Sequence, residues 1–148
     1  MPEPFVSPEE ASAADAIAAI RDELEVFDDW MDRYQFIIEL GRKLPAFPEQ
    51  WMDDAHRVPG CQSRVWMEAA CQDGKLWFTA VSDAAIVSGL LALLLRVYSG
   101  RSAEEVLATD PVFLKDLGLL EALSTNRGNG IAAMARKVRE VAALQKTA

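Results

Sequence analysis

The twelve residues Ala84–Leu95, AAIVSGLLALLL, constrain this chain more than any other stretch. They carry no charge, and Ser88 and Gly89 are the only breaks in the apolar run. The run is too short for a bilayer, which takes roughly 18–20 apolar residues as a helix. A helix that is apolar all round has to be packed all round. The stretch therefore predicts a buried core helix, capped by Ser82 or Asp83 and stopped near Gly100. The rest of the chain has to surround it.

The segment before it, CQSRVWMEAACQDGKLWFTAVSD, has a period of two. Val65, Met67 and Ala69 alternate with Arg64, Trp66 and Glu68, and Asp73-Gly74 is a favoured two-residue hairpin turn. Lys75–Val81 returns as the second strand, and a weak third strand is expected near Ala55–Val58. Ahead of the hairpin, Ser7-Pro8-Glu9-Glu10 has the form of a helix start, predicting a first helix from Pro8 to Val26. Asp28 or Asp29 caps a second helix running to Arg42, with Trp30, Tyr34, Ile37, Ile38 and Gly41 at helical spacing. Pro45 and Pro48 then open a loop that lasts to Gly60. Beyond the core helix, Ser102-Ala103-Glu104-Glu105 opens a short helix to Ala108, and Asp110-Pro111 opens another. A final helix over Asn126–Gln145 has a basic face of Arg136, Lys137 and Arg139. The expected fold is α+β: one domain with a small antiparallel sheet of two to three strands packed against several helices.

Composition excludes some functions. With 148 residues, 51% of them hydrophobic, the chain can bury a core and is no candidate for disorder. A net charge of −8 argues against general nucleic-acid binding. The charge is uneven: residues 1–56 hold fourteen acids against four bases, and residues 57–148 hold nine against eleven. The acidic half reads either as solvated helix faces or as a surface for a basic partner. The start, MPEPFVSPEE, lacks the basic-then-apolar pattern of a secretion signal, and with two cysteines a reducing cytoplasmic location is expected.

The two cysteines, Cys61 and Cys71, differ in setting. Their spacing along an extended segment puts them roughly 30 Å apart, too far for a disulfide or a shared metal, and it matches no zinc signature. Cys71, at the end of a strand, reads as a small half-buried hydrophobe. Cys61 follows Pro59-Gly60, a pair suited to a type II turn, so it is presented on a loop. Arg57 and Arg64 are placed to favour its thiolate. The one histidine, His56, permits a Cys–His dyad with Asp53 or Asp54 as orienter, but a solvated imidazole is the default.

At PGCQSRVW, followed by SDAAIVSGLLALLL, the chain resembles the SufE family of sulfur-acceptor proteins, partners of SufS-type cysteine desulfurases. RYQFIIELGRKLP (Arg33–Pro45) and FLKDLGLLEALSTNRGNG (Phe113–Gly130) fit the same family. The resemblance implies a SufE-like domain over residues 16–148, with residues 1–15 as an N-terminal tail and the start of helix one. It implies that Cys61 takes sulfur from the pyridoxal-phosphate desulfurase and carries it as a persulfide to a downstream iron–sulfur assembly complex. Gly60 would be the hinge, and Gln62, Ser63 and Arg64 would lie beside the thiol at the contact surface. Asp83 and Arg127 would be further docking residues. No cofactor or metal is expected, and no nucleic-acid or membrane partner. His56 stands where the family often has Asn. Two other readings are an iron–sulfur scaffold, which would want about three cysteine ligands per site, and a cysteine hydrolase using Cys61 and His56.

Overall fold

The structure, a computed structural model, describes residues 3–119 and 125–147, the side chains of 125–129 and 147 excepted. The chain runs α1 (Ala13–Glu25), α2 (Trp30–Arg42), two single-turn 3-10 helices (Glu49–Trp51 and Asp54–His56), β1 (Val65–Gln72) and β2 (Lys75–Ser82). It continues through α3 (Ala85–Tyr98), α4 (Ala103–Ala108), α5 (Phe113–Asp116) and α6 (Thr125–Thr147). The architecture is α+β, with the helices built around one two-stranded antiparallel sheet.

The apolar run is the central helix. Leu90, Leu91, Leu93, Leu94 and Leu95 are each at most 1% exposed, and each contributes about 1.5–3 kcal/mol by burial. α1, α2, α6 and β2 pack around α3. The two breaks in the run have separate causes. Ser88 Oγ accepts from Ser82 N–H and donates to Ser82 C=O, both at 3.1 Å, tying the helix to the end of β2. Gly89 lets α2 approach: a Cβ there would fall 2.1 Å from the Ile37 carbonyl oxygen. Gly41, on the facing helix, is in the same position, since its Cβ would lie 2.6 Å from Gly89 N.

The expected cap on α3 is absent. The N-cap position is Ala84, with no side-chain hydrogen bond. Ser82 Oγ accepts from Ala84 N–H one residue too early, and the Asp83 carboxylate is engaged by Arg64.

The hairpin has the predicted register, with Gln72 opposite Lys75 across Asp73-Gly74. Both turn residues have positive φ, 56° and 74°, as a type I′ turn requires. The third strand shrinks to one bridge, Arg57 opposite Trp66, with Val58 N–H donating to Val65 C=O at 2.9 Å. Asp53 caps the 3-10 turn Asp54–His56 just upstream, so only Arg57 and Val58 are left extended.

Helix α1 starts at Ala13, five residues later than expected. Ser12, not Ser7, is the cap, and its side chain accepts from Asp15 N–H. Residues 6–12 serve as a strap instead. Val6 N–H donates to Phe78 C=O at 2.9 Å, and Ser99 Oγ donates to Val6 C=O at 2.7 Å. Glu9, Glu10 and Glu23 converge on the Arg96 guanidinium of α3. The buried Arg101 guanidinium donates to Glu10 C=O at 2.7 Å. Long-range pairing with the sheet and with two arginines outweighs a local cap, which is worth about 1 kcal/mol. The Glu105 carboxylate of α4 then accepts from Ala13 N–H at 2.7 Å, tying the end of the strap to α4.

Candidate functional site

Cys61 lies on the loop between Val58 and β1, over the first described turns of α6. Its Sγ–H donates to the Gly130 carbonyl at 3.5 Å, and the side chain is half-buried. Gly60 has φ +86°, the value a type II turn demands at its third position, and a Cβ there would meet Ala133 Cβ at 3.3 Å. The turn thus lies flat on α6. Cys61, Gln62, Ser63, Val87, Gly130 and Met134 line a shallow recess of about 10 Å³, at the lower limit for one water molecule.

The loop is held at both ends. Upstream is the Val58–Val65 hydrogen bond. Downstream, Arg64 makes a double contact with Asp83, N–H to Oδ1 at 3.1 Å and Nε to Oδ2 at 2.9 Å. Ser82 Oγ and Asp83 N–H both donate to Arg64 C=O. Arg64 and Arg57 also lie over the Trp66 ring, their guanidinium carbons 5.3 and 5.9 Å from its centroid. Two sequence-predicted docking residues, Arg64 and Asp83, are therefore partners of each other. Gln62 is exposed and Ser63 half-buried beside the thiol. Arg127 is in α6, outside the residues whose side chains are described.

The electrostatics differ from expectation in two respects. Burial pushes the Cys61 thiol up from its ordinary value, against the opposing pull of Arg57 and Arg136. Arg64 takes no part in this, because Asp83 holds it. Arg136, which reads in sequence as one cation on a basic helix face, acts on the thiol with Arg57. Val87, Gly130 and Met134, which wall the recess, were not singled out either. The available signals were Gly130 at the end of the TNRGNG motif and Met134 in the apolar stripe of the last helix.

His56 is not a solvated imidazole. Its Nδ1 meets Asp53 Oδ1 at 2.7 Å, its Nε2 meets Glu68 Oε2 at 2.8 Å, and the ring stacks on Trp51 at 5.9 Å. The two carboxylates raise its pKa. With both nitrogens engaged, the ring has none left to take a proton from Cys61, and the dyad geometry is missing. Cys71 is exposed, not half-buried, because β1 runs out past the helices toward the hairpin turn. Both thiols are free. Among the described residues no three His, Cys, Asp or Glu side chains converge as metal ligands, and no helix is long and apolar enough to cross a membrane.

A half-buried thiol on a pinned loop can act as a nucleophile toward a small group brought to it. Comparison with known proteins gives the family. Residues 18–142 match the family model described as SufE, Fe-S metabolism associated domain. An uncharacterized SufE-like protein of Rhizobium meliloti is 38% identical over 128 residues, 83% of this chain and 91% of the relative. The sulfur acceptor protein CsdE of Escherichia coli is 36% identical over 121 residues, 80% of this chain and 82% of the relative. A solution structure of a hypothetical protein from Thermus thermophilus superposes with a TM-score of 0.74 at 23% identity, covering 90% of this chain and 97% of that one. It has the same fold.

Proposed function

Because the chain belongs to the SufE family, we propose that it accepts sulfur from a SufS-type cysteine desulfurase onto Cys61. It stimulates that enzyme by clearing its persulfide, and it hands the sulfur on for iron–sulfur cluster assembly in the cytoplasm. The resemblance to the sulfur acceptor CsdE supports the acceptor role. The observation that carries the reading is the free, half-buried Cys61 thiol presented on a turn at Gly60 and resting on Gly130.

The chemistry is thiol exchange. The Cys61 thiolate attacks the outer sulfur of the donor's Cys–S–SH group. The donor S–S bond breaks, its electron pair leaves on the donor cysteine as thiolate, and a new S–S bond forms on Cys61. The proton Cys61 sheds goes to solvent and the departing thiolate is reprotonated, so nothing is oxidised or reduced overall. At rest, burial keeps the thiol protonated. Pivoting at Gly60 would move Sγ into water beside Arg57 and Arg136, where the thiolate forms more readily. On return, the Cys61 side chain packs beside Val87, Gly130 and Met134, and a small adjustment of the loop would cover the outer sulfur. A second thiol within reach would release the cargo as sulfide by closing a disulfide. Cys71, at the far end of β1, is not so placed.

The test is intact-mass spectrometry after mixing the protein with a SufS-type desulfurase and cysteine. One added sulfur atom is expected on the wild type and on Cys71→Ser, and none on Cys61→Ser. A wild type that gains no mass overturns the proposal.

A further inference from the structure

The face around Cys61 carries a cluster of three cations. Arg57, exposed on the loop side, and Arg136 and Lys137 on α6 have no carboxylate partner among the described residues. By contrast Arg42, Arg64 and Arg96 are paired with Glu39, Asp83 and three glutamates. Arg33, Arg101 and Arg139 donate to backbone carbonyls. Val58, Pro59, Ala133, Arg136, Lys137 and Glu140 line a groove of about 140 Å³ between the Cys61 loop and α6. Its floor is apolar, from Val58, Pro59 and Ala133. Arg136, Lys137 and Glu140, all on α6, supply its charged lining, and Arg57 precedes Val58 in the loop. On a chain of net charge −8, a cationic groove beside the reactive thiol runs against the average field.

We infer that this groove receives an acidic segment of the sulfur donor: a carboxylate side chain next to a small apolar one, bound between Arg136 and Lys137 with the apolar group against Pro59 and Ala133. The inference rests on the sulfur-acceptor reading and specifies the chemistry of its docking. Arg136 lies within electrostatic range of the Cys61 sulfur, so a segment bound beside it is placed next to the thiol, and Arg57, which does not line the groove, is left to favour the thiolate. Such a local patch orients the encounter. Complementary charge beside the reacting group sets the register of the encounter.

The experiment titrates wild type, R136E/K137E and R21E into a SufS-type desulfurase by calorimetry at low and high NaCl. The same mixtures, with cysteine added, are weighed for sulfur on Cys61. Arg21 is an exposed arginine on α1, so R21E supplies a control for charge reversal away from the groove. Wild-type affinity should fall with salt. R136E/K137E should bind on the order of tenfold weaker per reversed charge, with a flattened salt dependence, and load more slowly because Arg136 also acts on the thiol. K137E, titrated alongside, spares that cation and should bind about tenfold weaker yet load fully at saturating desulfurase. R21E should stay within about twofold of wild type, its charge lying away from the contact. If wild type loads but R136E/K137E binds like it, or R21E is equally impaired, the groove proposal falls and the acceptor reading stands. If wild type takes up no sulfur, the acceptor reading falls and takes the groove proposal with it. Sedimentation of the chain alone completes the test. Salt-sensitive self-association abolished by R136E/K137E would give the groove to a second copy and overturn the proposal.

Discussion

His56 is the residue whose charge ties the loop segment to the sheet. It bridges Asp53 in the 3-10 turn and Glu68 in β1, five residues ahead of Cys61. Its pKa is raised by Asp53 and then Glu68, so the imidazolium stabilises the folded state fully below the ordinary value of 6.5, and that part is lost as pH rises through the folded value. Asp53 is held below its ordinary 3.8, chiefly by the His56 hydrogen bond, so its part is present above that value and lost as pH falls. The cluster therefore contributes most between these ordinary values. Urea midpoints measured across pH 5–9, a range chosen about the ordinary histidine pKa of roughly 6.5, should fall on the alkaline side for wild type. They should be flatter for His56→Gln; identical profiles would refute the linkage. Nothing near His56 in sequence signals Glu68, twelve positions on. Arg136 is equally silent, because it reaches Cys61 only through the packing of α6 under the loop.

At the scale of elements, the α2–α3 crossing and the strap each support an expectation. Gly89→Ala would drive a methyl into backbone, the Ile37 carbonyl, which a side-chain rotation cannot relieve. Overpacking typically costs 1–3 kcal/mol, and this contact belongs at about 3 or above. Thermal melting should show a loss of several degrees, and an unchanged Tm would contradict the crossing. Arg96→Met would leave Glu10 and Glu23 facing an apolar group. With Arg96 only 11% exposed but Glu23 39%, a loss of about 2–3 kcal/mol is expected, less than for a fully buried pair. Chemical denaturation measures it. These elements also separate what was readable in sequence from what was not. Asp73-Gly74 specifies its turn through two local φ angles, and the apolar run specifies burial, so hairpin and core helix were legible. The start of α1 was not. Ser7 and Ser12 are comparable caps locally, and the choice between them is made by Phe78, Ser99, Arg96 and Arg101, some seventy or more positions away. The same holds for Asp83, which faces a helix start as a cap should but binds Arg64 instead.

On the scale of the whole molecule, the acidic strap and α1 gather on Arg96, while Arg57 and Arg136 stand close to Cys61. Removing residues 1–12 should lower Tm, since the strap hydrogen bonds go with them, yet leave sulfur loading of Cys61 intact; a deletion that abolished loading in a folded protein would tie strap and thiol together. The loop anchors have a further mechanical consequence. Between Val58 and Arg64 only five residues, Pro59–Ser63, are free to move. A tether of that length, clamped at both feet, cannot lift its tip by more than on the order of 10 Å. On the sulfur-acceptor proposal, the travelling atom must then be met nearly halfway: a donor cysteine at the bottom of a deep, rigid shaft would stay out of range, so a delivering protein would have to offer a shallow entrance or an arm of its own.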